Sequence, residues 1–122
     1  MVMKPRVLVV DDEQDCRTML TALLEFEGFA VTTAANGREA LAAARKHHPC
    51  VILLDLMMPG MTGEQFRAVQ MQDSVLRDIP VVVVSARYDA ARIAEHLHTA
   101  GFVSKPFDAE RLLELVEEQC RA

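Results

Sequence analysis

The sequence has no hydrophobic run long enough to cross a membrane, no internal repeat and no low-complexity segment. The first five residues contain no apolar signal core, because the first hydrophobic run, residues 7–10, stops at the acidic pair Asp11 and Asp12. These absences argue against a membrane protein and against a secreted one. We therefore expect a cytoplasmic protein.

Positive charge is also scarce. The chain has 13 Lys and Arg residues against 18 Asp and Glu residues, which gives a net charge of −5. The basic residues form no stripe, so the sequence lacks the electrostatic footprint of a nucleic-acid-binding protein. We expect the partners to be proteins, with no binding to nucleic acid or membranes.

The positions of the cysteines and histidines do not favour a zinc site. The three cysteines are odd in number and each lies in an apolar pattern, so we expect reduced, buried thiols and not disulfides or zinc ligands. These are Cys16, Cys50 and Cys120. The four histidines lie at helix ends or among polar residues, so we expect them to be solvated.

The 122 residues suit one domain, residues 1–122, with about half of the residues apolar and a quarter charged. Short apolar runs alternate with segments of helical periodicity. The runs predict strands at residues 6–10, 29–33, 51–54, 80–84 and 102–104. Strict alternation of strands and helices predicts right-handed crossovers and a parallel sheet covered on both faces.

The predicted helices have distinct signals. Asn36 and Thr62 each begin a capping box, and Asp108 can cap the last helix. The last helix has an apolar stripe, and Leu115 lies outside it. We expect Leu115 to be exposed, either as a contact for a partner protein or as an ordinary surface leucine. The stripes of the first and last helices comprise Cys16, Met19, Leu20, Leu23 and Leu24, and Ala109, Leu112, Leu113, Val116 and Cys120. In the third helix, Phe66 and Val69 are expected on the buried side.

Polar groups follow four of the five strands. Asp11 and Asp12 follow the first, Asp55 the third and Lys105 the fifth, while Ser85 ends the fourth. If these strands are neighbours, three carboxylates share a pocket, where their repulsion favours a hard divalent cation such as Mg²⁺. A carboxylate beside Mg²⁺ and lysine can attack a phosphoryl group. The pattern therefore predicts an aspartyl phosphate.

Four segments in order, VLVVDDE, VILLDLMMPGMTG, VVVVSA and FVSKPF, resemble the receiver domain of two-component response regulators, including its chemotaxis-regulator-like members. The resemblance covers essentially the whole chain. It implies a flavodoxin-like α/β fold, a three-layer (βα)5 sandwich around a parallel five-stranded sheet of order 2-1-3-4-5. It also implies that Asp55 accepts a phosphoryl group from the phosphohistidine of a sensor histidine kinase or histidine phosphotransfer protein.

The family implies a role for each residue of the pocket. Asp12 binds Mg²⁺ directly, Asp11 binds it largely through water, and the backbone carbonyl of Met57 completes the protein ligands around Asp55. Lys105 pairs first with Asp55 and then with the phosphoryl oxygens. The resemblance thus implies a phosphoacceptor that catalyses only its own phosphorylation and dephosphorylation, and that is not otherwise an enzyme.

The resemblance further implies a conformational switch. Ser85 moves to hydrogen-bond the phosphoryl group, and the aromatic ring of Phe102 turns into the vacated space. The peptide bond from Lys105 to Pro106 is cis, which directs the lysine into the pocket. The face made by the fourth helix, fifth strand and fifth helix then rearranges to bind a downstream protein.

The sequence departs from the family pattern at several positions. Ser85 stands where threonine is frequent and Phe102 where tyrosine is common, so the hydroxyl is kept at the first and absent at the second. The segment from Ser85 to Lys105 is about two residues shorter than usual, which we assign to the loop before Phe102. Met57 offers no group to position water near an acyl phosphate, and we expect Arg87 to reach the phosphoryl group or a nearby acid.

Other interpretations exist for each motif. Asp11 and Asp12 could cap a helix, Asp55 and Lys105 could lie in ordinary turns, and Ser85 could be a satisfied hydroxyl. Among whole-chain alternatives, an aspartyl-phosphate phosphohydrolase would carry a second acid at position 57. A flavin-binding domain would need Gly, Ser and Thr in the Asp-rich first loop. A phosphorylation-independent interaction module would not need the acidic set.

Overall fold

The computed structural model describes residues 4–121, in which five strands alternate with five helices. The strands are β1 (Arg6–Val10), β2 (Ala30–Ala34), β3 (Val51–Leu54), β4 (Val81–Ser85) and β5 (Gly101–Ser104). The helices are α1 (Gln14–Phe26), α2 (Gly37–His47), α3 (Gly63–Met71), α4 (Ala90–His96) and α5 (Ala109–Cys120). Within the described residues, no helix is both long enough and apolar enough to span a membrane.

The five strands form one parallel sheet in the order β2-β1-β3-β4-β5, which confirms the predicted flavodoxin-like fold. Val10 of β1 pairs with Leu54 of β3, and Leu54 pairs with Val83 of β4. The carboxyl ends of these strands are therefore level with one another. Side chains that follow them meet at one edge of the sheet, as the alternation of strands and helices predicted.

The core lies on both faces of the sheet because alternate strand residues point to opposite sides. On one face, β-strand side chains such as Val9 and Leu53 pack against α1 and α5. On the other face, Val10 and Leu54 pack against α2 and α3, whose Phe66 is fully buried. Every residue of β3 is buried, as expected for a central parallel strand.

The predicted helix caps are present with one difference. Thr62 and Gln65 form a complete capping box at α3. Asn36 accepts a hydrogen bond from the Glu39 amide at 2.9 Å, but the Glu39 carboxylate accepts from the Ala35 amide instead of the Asn36 amide. The Glu39 and Ala35 amides are therefore the two that side chains satisfy at the start of α2.

Four helical side chains lie on a different face from the one predicted. Met19 and Val69 are exposed, at 55% and 40%, and Ala109 is also exposed, whereas Leu115 is buried at 4%. Leu115 packs over Gly101 of β5, where a Cβ atom would lie 3.1 Å from the leucine Cδ2. The missing side chain at Gly101 makes room for Leu115, so the buried stripe of α5 is Leu112, Leu115 and Val116.

The prediction of three reduced thiols is wrong for two of them. Cys50 and Cys120 form a disulfide with their Cα atoms 5.1 Å apart, inside the normal range for such bonds. Cys16 is free and buried, as predicted. The sequence pattern identified both bonded cysteines as core-facing but not as neighbours, because the two are 70 residues apart and meet only when α5 packs beside β3.

Candidate functional site

Three carboxylates meet at the carboxyl edge of the sheet. One oxygen from each of Asp11, Asp12 and Asp55 lies within 4.8 Å of the other two. Asp11 and Asp55 are buried, at 2% and 5% exposure, while Asp12 is exposed. Three negative charges this close repel one another strongly in a partly desolvated site. The cluster therefore needs positive charge.

Lys105, in the loop after β5, supplies part of that charge. Its Nζ donates to Asp11 Oδ2 at 2.5 Å and to Asp55 Oδ2 at 3.2 Å. The Glu13 carboxylate is also near, at 3.7 Å. One ammonium against the three clustered carboxylates leaves an excess of negative charge, so the pocket remains attractive to a further cation.

Backbone amides hold the two buried carboxylates in place. The Glu13 amide donates to Asp11 Oδ1 at 2.9 Å, and the Met57 amide donates to Asp55 Oδ1 at 3.1 Å. Met57 itself is 60% exposed, so its side chain points away while its backbone supports Asp55. Each buried carboxylate thus accepts a hydrogen bond from a backbone amide with one oxygen and from Lys105 with the other.

The two buried acids differ in their electrostatics. Burial raises the pKa of Asp55, and the Met57 amide and Lys105 offset this only in part. Burial also acts to raise the pKa of Asp11, but hydrogen bonds from Lys105 and the Glu13 amide outweigh it, so that pKa is lowered. Asp55 therefore carries the less well compensated charge, and an added cation would stabilise its ionised form most.

Lys105 and Cys16 respond to the same cluster. Burial alone would lower the pKa of Lys105, but its hydrogen bond to Asp11 and the charge of Asp55 raise it, so the side chain is a permanent cation. Burial, together with a hydrogen bond to Asp11, raises the pKa of Cys16 to about 12. Cys16 is thus a neutral thiol beside the site.

Ser85 and Phe102 lie on the strands beside the carboxylates. Ser85 is fully buried at the end of β4 and its Oγ accepts a hydrogen bond from the Arg87 amide at 3.2 Å. Phe102 of β5 is half-buried and packs with a cluster under α4 that includes Leu56 and Val83. The Lys105–Pro106 peptide bond is cis.

The guanidinium of Arg87 lies at the rim of the site. It donates to both oxygens of Asp89 at 3.0 Å and to Glu64 Oε2 at 3.1 Å. Arg87 lines a surface cavity of about 490 Å³ together with Asp12 and Met57. Of the two roles expected for Arg87, the contact with a nearby acid is present. Glu64 was not predicted to take part, and its only sequence signal was its place in the first turn of α3.

The comparisons with known proteins agree with this geometry. A family model described as the response regulator receiver domain matches residues 7–117. The chain belongs to this family. It is a receiver domain of two-component response regulators, which confirms the function predicted from the four motifs, and no observation favours the phosphohydrolase alternative.

Curated relatives of the receiver domain are regulators. The DNA-binding response regulator MtrA of Mycolicibacterium smegmatis is 36% identical over 121 residues, which are 98% of this chain and 52% of that protein. The receiver domain thus spans about half the length of MtrA. Protein PilH of Pseudomonas aeruginosa is 34% identical over 113 residues, covering 91% of this chain and 93% of PilH.

Solved receiver structures match the fold closely. The Vibrio cholerae chemotaxis protein CheY4 superposes with a TM-score of 0.84 at 36% identity, over 95% of this chain and 98% of that one. A response regulator receiver protein from Pseudomonas putida has a TM-score of 0.87 at 28% identity, with coverages of 97% and 99%. Response regulators work with histidine kinases, so this receiver domain is a signalling module.

Proposed function

We propose that Asp55 is the phosphoacceptor and takes a phosphoryl group from the phosphohistidine of a sensor histidine kinase or histidine phosphotransfer protein. The observation that carries this proposal is the contact between Asp55 and Lys105, at 3.2 Å, inside a group of three carboxylates. A buried acid with an ammonium on one oxygen is oriented for attack through that carboxylate. Ordinary turn residues would be solvated instead.

In the transfer, one oxygen of Asp55 forms a bond to phosphorus while the bond from phosphorus to the imidazole nitrogen breaks. The electron pair of that bond returns to the imidazole. Lys105 then exchanges part of its contact with the acids for the phosphoryl oxygens, whose charge it offsets. The Met57 amide keeps the side chain of Asp55 oriented throughout.

The carboxylate cluster fits a magnesium ion. Its oxygens lie within 4.8 Å of one another and retain excess negative charge after pairing with Lys105, which suits a hard cation with oxygen ligands. Asp12 and Asp55 would bind the ion directly, Asp11 largely through water, and Met57 through its backbone carbonyl. When bound, Mg²⁺ neutralises charge on the pocket and on the incoming phosphoryl group.

Phosphorylation would act on α4, β5 and α5 through Ser85 and Phe102. Ser85 can give up its contact with the Arg87 amide to bond the phosphoryl group. Phe102 is half-buried against the α4 cluster, so its ring can turn inward without leaving an apolar environment. The α4-β5-α5 face would then present a changed surface to a downstream protein.

The exposed Met19 supports docking of the phosphodonor beside the pocket. It lines a cavity of about 290 Å³ with Cys16, Lys105 and Phe107. An apolar cavity next to the lysine that contacts Asp55 would place a partner's phosphohistidine at the reacting carboxylate. The exposure of Met19, which helical periodicity did not predict, thus has a role in this proposal.

We further propose that residues 1–122 form a single receiver domain that acts in the cytoplasm and has no catalytic role beyond its own phosphorylation and dephosphorylation. Residues 1–3 and 122 lie outside the described part of the chain. MtrA is named as a DNA-binding regulator. In this chain, a net charge of −5 supports protein partners and not nucleic acid or membranes for the receiver domain itself.

The test is to incubate the protein with acetyl phosphate and Mg²⁺ and to measure its intact mass. We expect one phosphoryl group on the wild type and none on Asp55→Asn, which keeps the shape of the side chain. Equal phosphorylation of both proteins would refute Asp55 as the acceptor. Repeated turnover of phosphate esters would instead support a phosphohydrolase.

A further inference from the structure

The disulfide lies at the opposite end of the sheet from the carboxylates. Cys50 directly precedes β3, and Asp55 directly follows it. Cys120 is the last residue of α5. The bond therefore ties the carboxyl end of α5 to the amino end of the central strand. It closes a segment that contains every element from β3 to α5, since the two cysteines are 70 residues apart.

The bond is accessible to small molecules. Both cysteines are half-buried, and Cys120 lines a surface cavity of about 160 Å³ with Pro5, Phe29 and Arg121. Cys120 is also in the final turn of its helix, where the backbone has fewer intrahelical hydrogen bonds to lose. A small thiol or disulfide can therefore reach the sulfur atoms without unfolding the core.

We propose that Cys50 and Cys120 form a reversible redox modification site that reacts with low-molecular-weight disulfides and thiols of the glutathione class. When the Cys50–Cys120 bond forms, one cysteine thiolate attacks a small disulfide, which releases one small thiolate and leaves a mixed disulfide. The second cysteine thiolate attacks that bond and releases the other small thiolate. The protein loses two electrons and two protons, and the small disulfide becomes two thiols.

The two redox states differ in how α5 is held. In the oxidised state, the last turn of α5 is covalently fixed to the sheet beside Cys50. In the reduced state, noncovalent packing alone holds the helix, mainly through the buried Leu112, Leu115 and Val116. In a compartment where thiols are kept reduced, such a bond forms conditionally, which suits regulation better than static support. The inference goes beyond phosphoryl transfer and does not depend on it.

The experiment equilibrates the folded protein in glutathione buffers from fully reduced to fully oxidised, traps free thiols by alkylation and measures intact mass. We expect the wild type to gain and lose the Cys50–Cys120 bond reversibly. Cys120→Ser should form no intramolecular bond, and it should gain mass only as a mixed disulfide of Cys50 with glutathione. Cys16→Ser is the matched control, because Cys16 is buried and outside the pair, and it should titrate as the wild type does.

Three results would overturn the proposal. The wild type could stay reduced in oxidised glutathione, or the bond could resist excess thiol in the folded protein and break only in denaturant. Cys120→Ser could also oxidise like the wild type. A wild type that stays reduced, or a Cys120→Ser variant that oxidises like the wild type, would exclude a Cys50–Cys120 redox site. A bond that resists excess thiol in the folded protein would show a static bridge.

A second measurement tests the effect on α5. We expect amide hydrogen exchange in the last turn of α5 to be slower in the oxidised form, and the melting temperature to be higher by roughly 10 °C. Phosphorylation of Asp55 should proceed at the same rate in both forms, because the bond is at the other end of β3. Unchanged exchange would refute the effect on α5. Absence of phosphorylation in both forms would refute only the phosphoacceptor assignment.

Discussion

Replacing Lys105 with methionine should tighten the binding of Mg²⁺ while it slows phosphorylation. Lys105 is the cation that contacts both buried acids, at 2.5 Å to Asp11 and 3.2 Å to Asp55. It therefore competes with a metal ion for the same carboxylates. Methionine keeps most of the length and apolar stem of lysine, so the substitution removes the charge and little of the packing.

The size of the effect follows from the charges. A unit charge about 5 Å from a divalent ion, at an effective dielectric of about 40 to 80, interacts with it by about 2–3 kcal/mol. Part of this gain is lost because water replaces some of the lysine contacts. We expect the dissociation constant for Mg²⁺ to fall at least about tenfold, since a tenfold change corresponds to about 1.4 kcal/mol.

The assay is calorimetric titration of Mg²⁺ into wild type, Lys105→Met and Lys46→Met, with phosphorylation by acetyl phosphate measured in parallel. Lys46 is an exposed lysine of α2, so its removal controls for the loss of one positive charge. If Lys105→Met is folded and binds Mg²⁺ no more tightly than Lys46→Met, the competition between lysine and metal is refuted. Undiminished phosphorylation would refute the role of Lys105 in transfer.

Three further predictions rest on other contacts. Gly63→Ala should destabilise the fold by about 1–3 kcal/mol and slow phosphorylation, because its Cβ would lie 2.9 Å from the Asp55 carbonyl oxygen. Gly101→Ala is the control and should destabilise the fold less, because the added Cβ meets only a leucine side chain. Equal losses of unfolding free energy for the two variants in urea would contradict this prediction. Asp55→Asn should stabilise the metal-free protein at neutral pH on the order of 1 kcal/mol. Burial raises the pKa of Asp55 in the folded state, so the folded form is favoured when this carboxyl group is protonated. The wild type therefore loses stability as the pH rises from about 4 through the folded-state pKa. The gain should vanish in unfolding experiments below pH 4, and a gain independent of pH would disprove the linkage. Arg67→Met should lower the free energy of unfolding by about 2–3 kcal/mol and speed amide hydrogen exchange at the end of α4, because the buried guanidinium donates hydrogen bonds to two backbone carbonyls there. Unchanged exchange would argue against that role of Arg67.

The strands, their order of appearance and the acids at their ends could be predicted because they depend on short-range patterns. Apolar runs bounded by polar residues predicted β1 and β3 with their observed limits. Once the alternation of strands and helices implied a parallel sheet, Asp11, Asp12 and Asp55 had to lie at one edge. The order of the strands came from the family resemblance, since no local pattern specifies which strands are neighbours.

Other features were decided by how the helices rotate and where distant residues meet. Helical periodicity left Leu115 outside the stripe, and only the space above Gly101 turns it inward. Arg87 had two candidate partners, and the position of α3 put Glu64 within reach.

Local sequence therefore determined which chemical groups this receiver domain carries and the end of the sheet at which they lie. Tertiary packing decided how those groups pair: Lys105 lies closer to Asp11 than to Asp55, and Cys50 bonds Cys120. The physical reason is that a strand or helix forms from neighbours in the chain. Contacts between residues far apart in sequence depend on the relative placement of whole elements, which their own sequences do not encode.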